Sequence, residues 1–303
     1  MKTTKSTRAL RIVASSGRTT SSAPQGRLRL VGGTDYVRPA TAPSDASADY
    51  ARFFGPITGR LADPLLDAAG VRPGTRVLDV ASGPGCLAAR AARRGATVVG
   101  VDIDPNMVEL ASRRHPQLRF LQADAAALPF EDGSFDAVVG NFLVQHLRSP
   151  RQAIAELVRV LAPGGVLALT VWDLPARTRF VGVFLEAIED GGGDPPGSRA
   201  PRPDFFRYSA DPALAGLLSG EGLCDVAISA TAFEHAVAST EELWNGLLAG
   251  TDRTSATRIA RQPRDVQRRI RTSFERRANE YWTGERLELP VSAKVACGRR
   301  LAA

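Results

Sequence analysis

The sequence predicts a doubly wound α/β fold on a mostly parallel sheet, and three observations carry that prediction. First, Arg76-Val77-Leu78-Asp79-Val80-Ala81-Ser82-Gly83-Pro84-Gly85-Cys86-Leu87-Ala88 opens as a short apolar run and breaks into small residues. It resumes as an Ala/Arg-rich helix from about Leu87 to Arg94. Strand, glycine turn, helix is how a βαβ unit begins. Second, apolar strands then alternate with helices at parallel-sheet spacing as far as Trp172. Third, Gly83, Asp102, Asp124, Asn141 and Trp172 all fall at carboxyl ends of predicted strands, the edge where open α/β sheets bind ligands.

Residues 1–38 carry eight basic side chains and one acid, which accounts for the whole net charge of +7 and leaves 39–303 balanced. This stretch reads as a disordered basic tail, residues 1–40. Weak attraction to nucleic acid or an anionic surface, and an organellar transit peptide, are the sharper readings of such a composition. Thr41–Asp45 reads as linker. Tyr50–Phe54 and Ile57–Ala69 give one or two helices, stopped by Gly70-Val71-Arg72-Pro73-Gly74. Strand Thr97–Val101 ends in Asp102, helix Pro105–Arg114 stops before Pro116, and strand Arg119–Ala123 ends in Asp124. Strand Phe135–Gly140, helix Pro150–Leu161 and strand Val166–Trp172 complete the parallel part. Beyond it, helices at Thr178–Glu189, Asp211–Gly220, Glu241–Ala249 and Pro263–Trp282 are interleaved with strands Ala227–Val237 and Leu289–Cys297.

The glycine turn alone is ambiguous. Gly83-x-Gly85-x-x-Ala88 followed by Asp102 also satisfies a loose dinucleotide fingerprint, with the carboxylate accepting ribose hydroxyls. Asp79 tilts the reading, because a carboxylate beneath the turn suits a cationic ligand and repels a pyrophosphate. With Asp124 and Leu128-Pro129-Phe130-Glu131-Asp132-Gly133-Ser134-Phe135-Asp136 added, the chain from about Tyr50 to Trp172 resembles the class I S-adenosylmethionine-dependent methyltransferases, in particular the ubiquinone/menaquinone methyltransferase branch. Asp79-x-Ala81-x-Gly83-x-Gly85 resembles the first motif, with Ala81 where glycine is commoner. Val101-Asp102-Ile103-Asp104-Pro105-x-Met107 resembles the second. Ala123-Asp124-Ala125 with Leu128-Pro129-Phe130 resembles the third, and Arg159-Val160-Leu161-Ala162-Pro163-Gly164-Gly165 the turn before the fifth strand.

The resemblance implies S-adenosyl-L-methionine as cofactor and a Rossmann-like seven-stranded sheet whose last strand is antiparallel. It implies that Asp79, Ala81, Gly83 and Gly85 hold the methionine portion and Asp102 the ribose. Asp124 would accept from the adenine amino group, with Ile103, Met107 and Ala125 on the adenine faces, and Asn141 joins this set from the fourth strand. The expected organisation is tail 1–40, helical lid 41–72, cofactor-binding core 73–173, and 174–303 completing the sheet with variable helical insertions. Tyr50, Phe53 and Phe54 of the lid, with Trp172, Phe205 and Phe206, are the acceptor-side candidates. Each is equally well explained as core packing.

Displacement at a sulfonium needs chiefly near-attack geometry, and a base only where the nucleophile must lose a proton. His146, just past the fourth strand, is the candidate base, set against a local packing role. Asn141-Phe142-Leu143-Val144 lacks the Asn/Asp-Pro-Pro-aromatic run of base-amine methyltransferases. Three isolated cysteines, Cys86, Cys224 and Cys297, argue against a disulfide framework or zinc site and suit a reducing compartment, and no apolar run is of spanning length. The expectation is therefore a cytoplasmic enzyme acting on a small-molecule methyl acceptor, with no membrane, metal or nucleic-acid partner. Its rivals are an NAD(P)-dependent oxidoreductase, an RNA or protein methyltransferase guided by the basic tail, and a relative that keeps the cofactor without methylating. The Arg-rich stretch from Arg264 to Arg277 is expected to be a solvated face.

Overall fold

Two helices lead into the sheet, α1 (Asp45–Arg60) and α2 (Ala62–Ala68). Gly55-Pro56 suggests a break after Phe54, but α1 runs through Pro56 and the chain turns instead at Leu61. Pro56 removes one backbone donor. Burial of Phe54, Ile57 and Leu61 along one stripe in the apolar core outweighs that loss. The computed structural model describes residues 45–192, 205–250 and 259–302, with only the backbone of 45–50. The predicted tail, residues 1–40, and the side chain of Tyr50 lie outside the described residues.

The predicted alternation follows as β1 (Arg76–Val80), α3 (Cys86–Arg93), β2 (Thr97–Asp102), α4 (Pro105–Arg114), β3 (Arg119–Gln122) and β4 (Phe135–Gly140). After a single 3₁₀ turn at Val144–His146 come α5 (Pro150–Val160) and β5 (Leu161–Trp172). The second half adds α6 (Arg179–Asp190), α7 (Asp211–Ser219), β6 (Leu223–Val237), α8 (Thr240–Gly250), α9 (Arg264–Asn279) and β7 (Leu287–Arg300). The seven strands lie in the order β3-β2-β1-β4-β5-β7-β6. All pairings among the first five are parallel, and β7 runs antiparallel to both β5 and β6. The strand order reverses between β1 and β4, and a crevice opens at such a switch point on the carboxyl edge.

Three apolar clusters hold the layers. Helices α2, α3 and α4 bury Leu65, Leu66, Leu87 and Val108 against one face. On the other, α5 and α7 bury Ile154, Leu157, Leu214 and Leu217. The third cluster lies under α1, α6, α8 and α9, where Phe184, Trp244 and Phe274 meet edge-to-face. Each fully buried ring in these clusters contributes about 2–3 kcal/mol by area. On α9 four arginines are ion-paired, Arg277 with Glu186 and Asp190, Arg276 with Asp190, Arg271 with Glu275 and Arg269 with Asp265, as expected of a solvated face.

Element ends differ from the sequence reading where tertiary pairing decides them. Strand β5 begins at Leu161, which pairs with Phe135 across a bulge that Gly164 accommodates at φ +77°. Strands β6 and β7 are 15 and 14 residues long because they pair with each other from Leu223↔Arg300 to Val237↔Leu287. No described helix is long and apolar enough to cross a membrane.

One local strain follows from the first motif. Ala81 sits at φ +56°, where an L-residue with a Cβ is about 1–2 kcal/mol worse off than in the right-handed region. Ala81→Gly is expected to raise unfolding stability by about 1 kcal/mol and the melting temperature by roughly 2–4 °C. Differential scanning calorimetry checks this, and an unchanged or lower melting temperature would contradict it.

Candidate active site

The turn after β1 is shaped by backbone conformations that its small residues permit. Gly83 (φ +50°) and Gly85 (φ +82°) follow Ala81 in the left-handed region, and the Gly85 amide donates to the Ser82 carbonyl at 2.9 Å. A Cβ on Gly85 would lie 2.7 Å from the Phe120 ring and 2.9 Å from His115, so that glycine is required by packing. A Cβ on Gly83 would meet nothing within 4 Å, so the other side of the turn is an open cradle. His115 thus serves the fold, as its position before Pro116 suggests.

Asp102, at the end of β2, ties this turn to the next. It is 9% exposed, its Oδ2 accepts from the Gly83 amide at 2.8 Å, and its Oδ1 accepts from the Asp104 amide at 2.9 Å. Each oxygen keeps a second lone pair. Asp104 in turn caps α4, its Oδ1 accepting from the Asn106 amide at 2.9 Å. Ile103 beside it is 64% exposed, a bare apolar surface at the crevice, with Met107 half-buried one turn on. After β3, exposed Asp124 accepts from the Ala126 amide at 2.9 Å through Oδ1 only, and Ala125 is buried next to it.

Beneath the turn lies Asp79, 1% exposed. Neither of its oxygens has a hydrogen-bond partner, nor does the buried hydroxyl of Ser82 above it. Burial pushes the Asp79 carboxyl up to about 8, and the neighbouring Asp102 pushes the same way. The Ala88 amide opposes the shift without reaching hydrogen-bond geometry. Asp102 is also raised, first by burial, with the Asp104 and Gly83 amides opposing. Two buried carboxyls beside one glycine turn make an environment that a cation would stabilise and a pyrophosphate would not.

Asn141 follows β4 at the same edge. Its Nδ2 donates to the Thr58 carbonyl of α1 at 3.0 Å, and its Oδ1 accepts from Thr170 Oγ1 at 2.6 Å. Thr170 accepts from the Phe142 amide at 2.8 Å, completing a relay from β5 to α1. A cavity of about 300 Å³ lies between α1 and α3, lined by Thr58, Gly59, Cys86, Arg90, His115 and Asn141 among others. Of the ten expected cofactor residues only Asn141 lines it. A concavity of about 850 Å³ on α6 and α9, lined by Asp190, Asp265 and four arginines, involves none of them.

The aromatics named as acceptor-side candidates divide between fully buried and partly buried rings. Trp172 is buried with its ring 4.1 Å from that of Phe142, and Phe54 is buried edge-on to Phe180 at 5.7 Å. Both are core, because each ring finds apolar neighbours on the layer beneath it. Phe53, half-buried, stacks on Phe180 at 5.4 Å, and Phe206 is partly buried against the same cluster. Phe205 is buried but meets exposed His146 edge-on at 6.2 Å.

Sequence reasoning missed the residues that support this edge. Ser82 was visible in the turn itself, as its one hydroxyl. The Thr58–Asn141–Thr170 relay joins residues 83 and 29 positions apart, and no local pattern announces it. Lys294 is buried in β7, pairs with Asp211, lies 3.4 Å from Asp173 and donates to the Ser209 carbonyl at 2.5 Å, anchoring the turn that carries Phe205. A lysine inside the apolar run Leu289–Cys297 was the available signal.

Comparison with known proteins gives concordant matches. Residues 78–169 match the family described as a methyltransferase domain. Demethylmenaquinone methyltransferase of Renibacterium salmoninarum is 41% identical over 124 residues, covering 41% of this chain and 52% of that protein. The protein of the same name from Streptomyces griseus is 33% identical over 170 residues, covering 53% of this chain and 73% of the relative. The match thus spans about half the length of the first of these relatives and nearly three quarters of the second. The crystal structure of the YcgJ protein from Bacillus subtilis has the same fold, with a TM-score of 0.55 at 22% identity, covering 80% of this chain and 99% of that one.

Proposed function

The chain belongs to the class I S-adenosylmethionine-dependent methyltransferases, in the ubiquinone/menaquinone-like branch, and we propose that it methylates an oxygen, carbon or nitrogen of a small-molecule metabolite. The observation that carries this reading is the pair of buried carboxyls at one glycine turn, one of them unpartnered, beside an open cradle at Gly83. S-adenosylmethionine, when bound, supplies a methyl group on a sulfonium whose departure leaves a neutral thioether. Asp79, Ala81, Gly83 and Gly85 would hold its methionine portion and Asp102 its ribose hydroxyls, through lone pairs not used by Gly83 and Asp104. Asp124 would accept the adenine amino group, with Ile103, Met107 and Ala125 against the ring.

The rest of the chemistry asked of the chain is positioning and exclusion of water. Asn141 ties α1 to the core, its Nδ2 donating to the Thr58 carbonyl, and so fixes the wall of the crevice nearest the proposed lid. Where the acceptor must lose a proton, His146 is the proposed base; it ends the 3₁₀ turn after β4 and its ring meets Phe205. Phe53, Phe206 and Tyr50 remain proposed acceptor contacts on the lid side. Free Cys86, Cys224 and Cys297 support a cytoplasmic site of action.

Calorimetric titration with S-adenosylhomocysteine tests the reading. Micromolar binding, with no heat from NADH, is the expected result. NADH binding in its place would return the glycine turn to a dinucleotide and overturn the assignment.

A further inference from the structure

We infer that Asp79 carries a proton before the cofactor binds, and that capture of the cofactor's cationic ammonium end expels that proton, one for each ligand bound. The inference rests on the methyltransferase reading above and goes beyond it, because it concerns what the protein itself gives up on binding. Its basis is geometric. The carboxyl is 1% exposed with two unpartnered oxygens, a surrounding that an ionised carboxylate does not tolerate without a cation or donors.

The groups around it supply no cation. From β2 the carboxyl of Asp102 faces it, and from α3 the uncharged Ala88 amide. The β4 stretch paired beside it, Ala137–Val139, has no titratable side chain. Arg76 on the same strand is engaged by Asp136 at 2.6 Å, and Arg90 of α3 by Asp63 at 2.8 Å. Among the described residues, therefore, only a neutral acid is stable there. Arrival of an ammonium reverses the balance: the O–H bond of Asp79 breaks, the proton passes to buffer, and the carboxylate remains as the ligand's counter-ion. Burial that pushes the carboxyl up to about 8 agrees with this exchange at neutral pH.

Linkage fixes the consequence. Binding that releases one proton tightens tenfold per pH unit, so affinity for S-adenosylhomocysteine is expected to rise about 30-fold between pH 6 and pH 7.5. Titration of the full chain with S-adenosylhomocysteine at pH 7, in phosphate and in Tris, counts the proton directly. The observed enthalpies should differ by about one times the difference between the two buffers' ionisation enthalpies. Asp79→Asn should bind more weakly, with a heat independent of buffer and an affinity flat over that pH range. A native heat independent of buffer would overturn the inference, as would an unchanged proton count in Asp79→Asn, which would assign the proton to another group such as Asp102. If the variant fails to fold, the native pH profile alone decides, since a flat profile rejects the exchange. Absence of any S-adenosylhomocysteine binding is a separate result that overturns the methyltransferase reading itself.

Discussion

Asp102→Ala is expected to weaken S-adenosylhomocysteine binding by two to three orders of magnitude, the larger part of it before the ribose is considered. The carboxylate accepts from the Gly83 and Asp104 amides at 2.8 and 2.9 Å, and so fixes both the glycine turn and the start of α4. Charge-assisted hydrogen bonds of this kind are worth about 1.5–3 kcal/mol each, and their loss leaves partly buried N–H donors without acceptors. In a turn whose Ala81 is already held at φ +56°, the Asp102 carboxylate is what holds the Gly83 amide among the described residues. On the proposed ligand reading, loss of acceptors for the ribose hydroxyls adds to this. Calorimetry on the variant checks it, with Asp102→Asn as the control that keeps one acceptor oxygen and should recover part of the affinity. A dissociation constant within fivefold of the native one would mean that the ligand is held elsewhere, and the site at the β1–β2 edge would have to be abandoned.

How much of this was legible in the sequence depends on whether a feature is local. Strand β1, its glycine turn and the Asp102 that follows at a fixed interval are contiguous signals, and the structure brings them together at one edge. Helix α4 falls within its expected bounds because Asp104-Pro105 starts it and Pro116 follows its end. The ends of β6 and β7 were not legible, since each extra residue is a strand residue only because its partner is there. The aromatics of the second half were ambiguous for a related reason. A ring at helical spacing announces burial but not against what, and Phe54 and Trp172 prove to be buried in core while Phe205 closes on His146. The state of Asp79 was half-legible. Its place in a strand marked it as unusual, but the absence of any compensating donor is a property of the packed layers around it.

That uncompensated carboxyl sets the second large effect, on stability without ligand. The folded state holds Asp79 at about 8, against 3.8 for an ordinary aspartate. The group is therefore raised on folding, so the folded chain binds more protons than the unfolded one between these values. Stability from this residue is then full below about pH 4 and is lost as pH rises towards 8. At 1.36 kcal/mol per unit the whole effect is on the order of 5 kcal/mol. Asp79→Asn, which cannot ionise, is expected to match the native protein near pH 4 and to exceed it by several kcal/mol at pH 8, read as the difference between their urea midpoints at each pH. Parallel pH profiles for the two proteins would show that Asp79 is already ionised and compensated, and would remove the physical basis for its role. Saturating S-adenosylhomocysteine should shrink the gap, because the ligand's ammonium stabilises the ionised native carboxyl and has no counterpart in the amide. A residue that weakens the ligand-free fold at neutral pH is tolerable where binding recovers the loss, and this is the physical ground for the proposal that Asp79 serves the ligand.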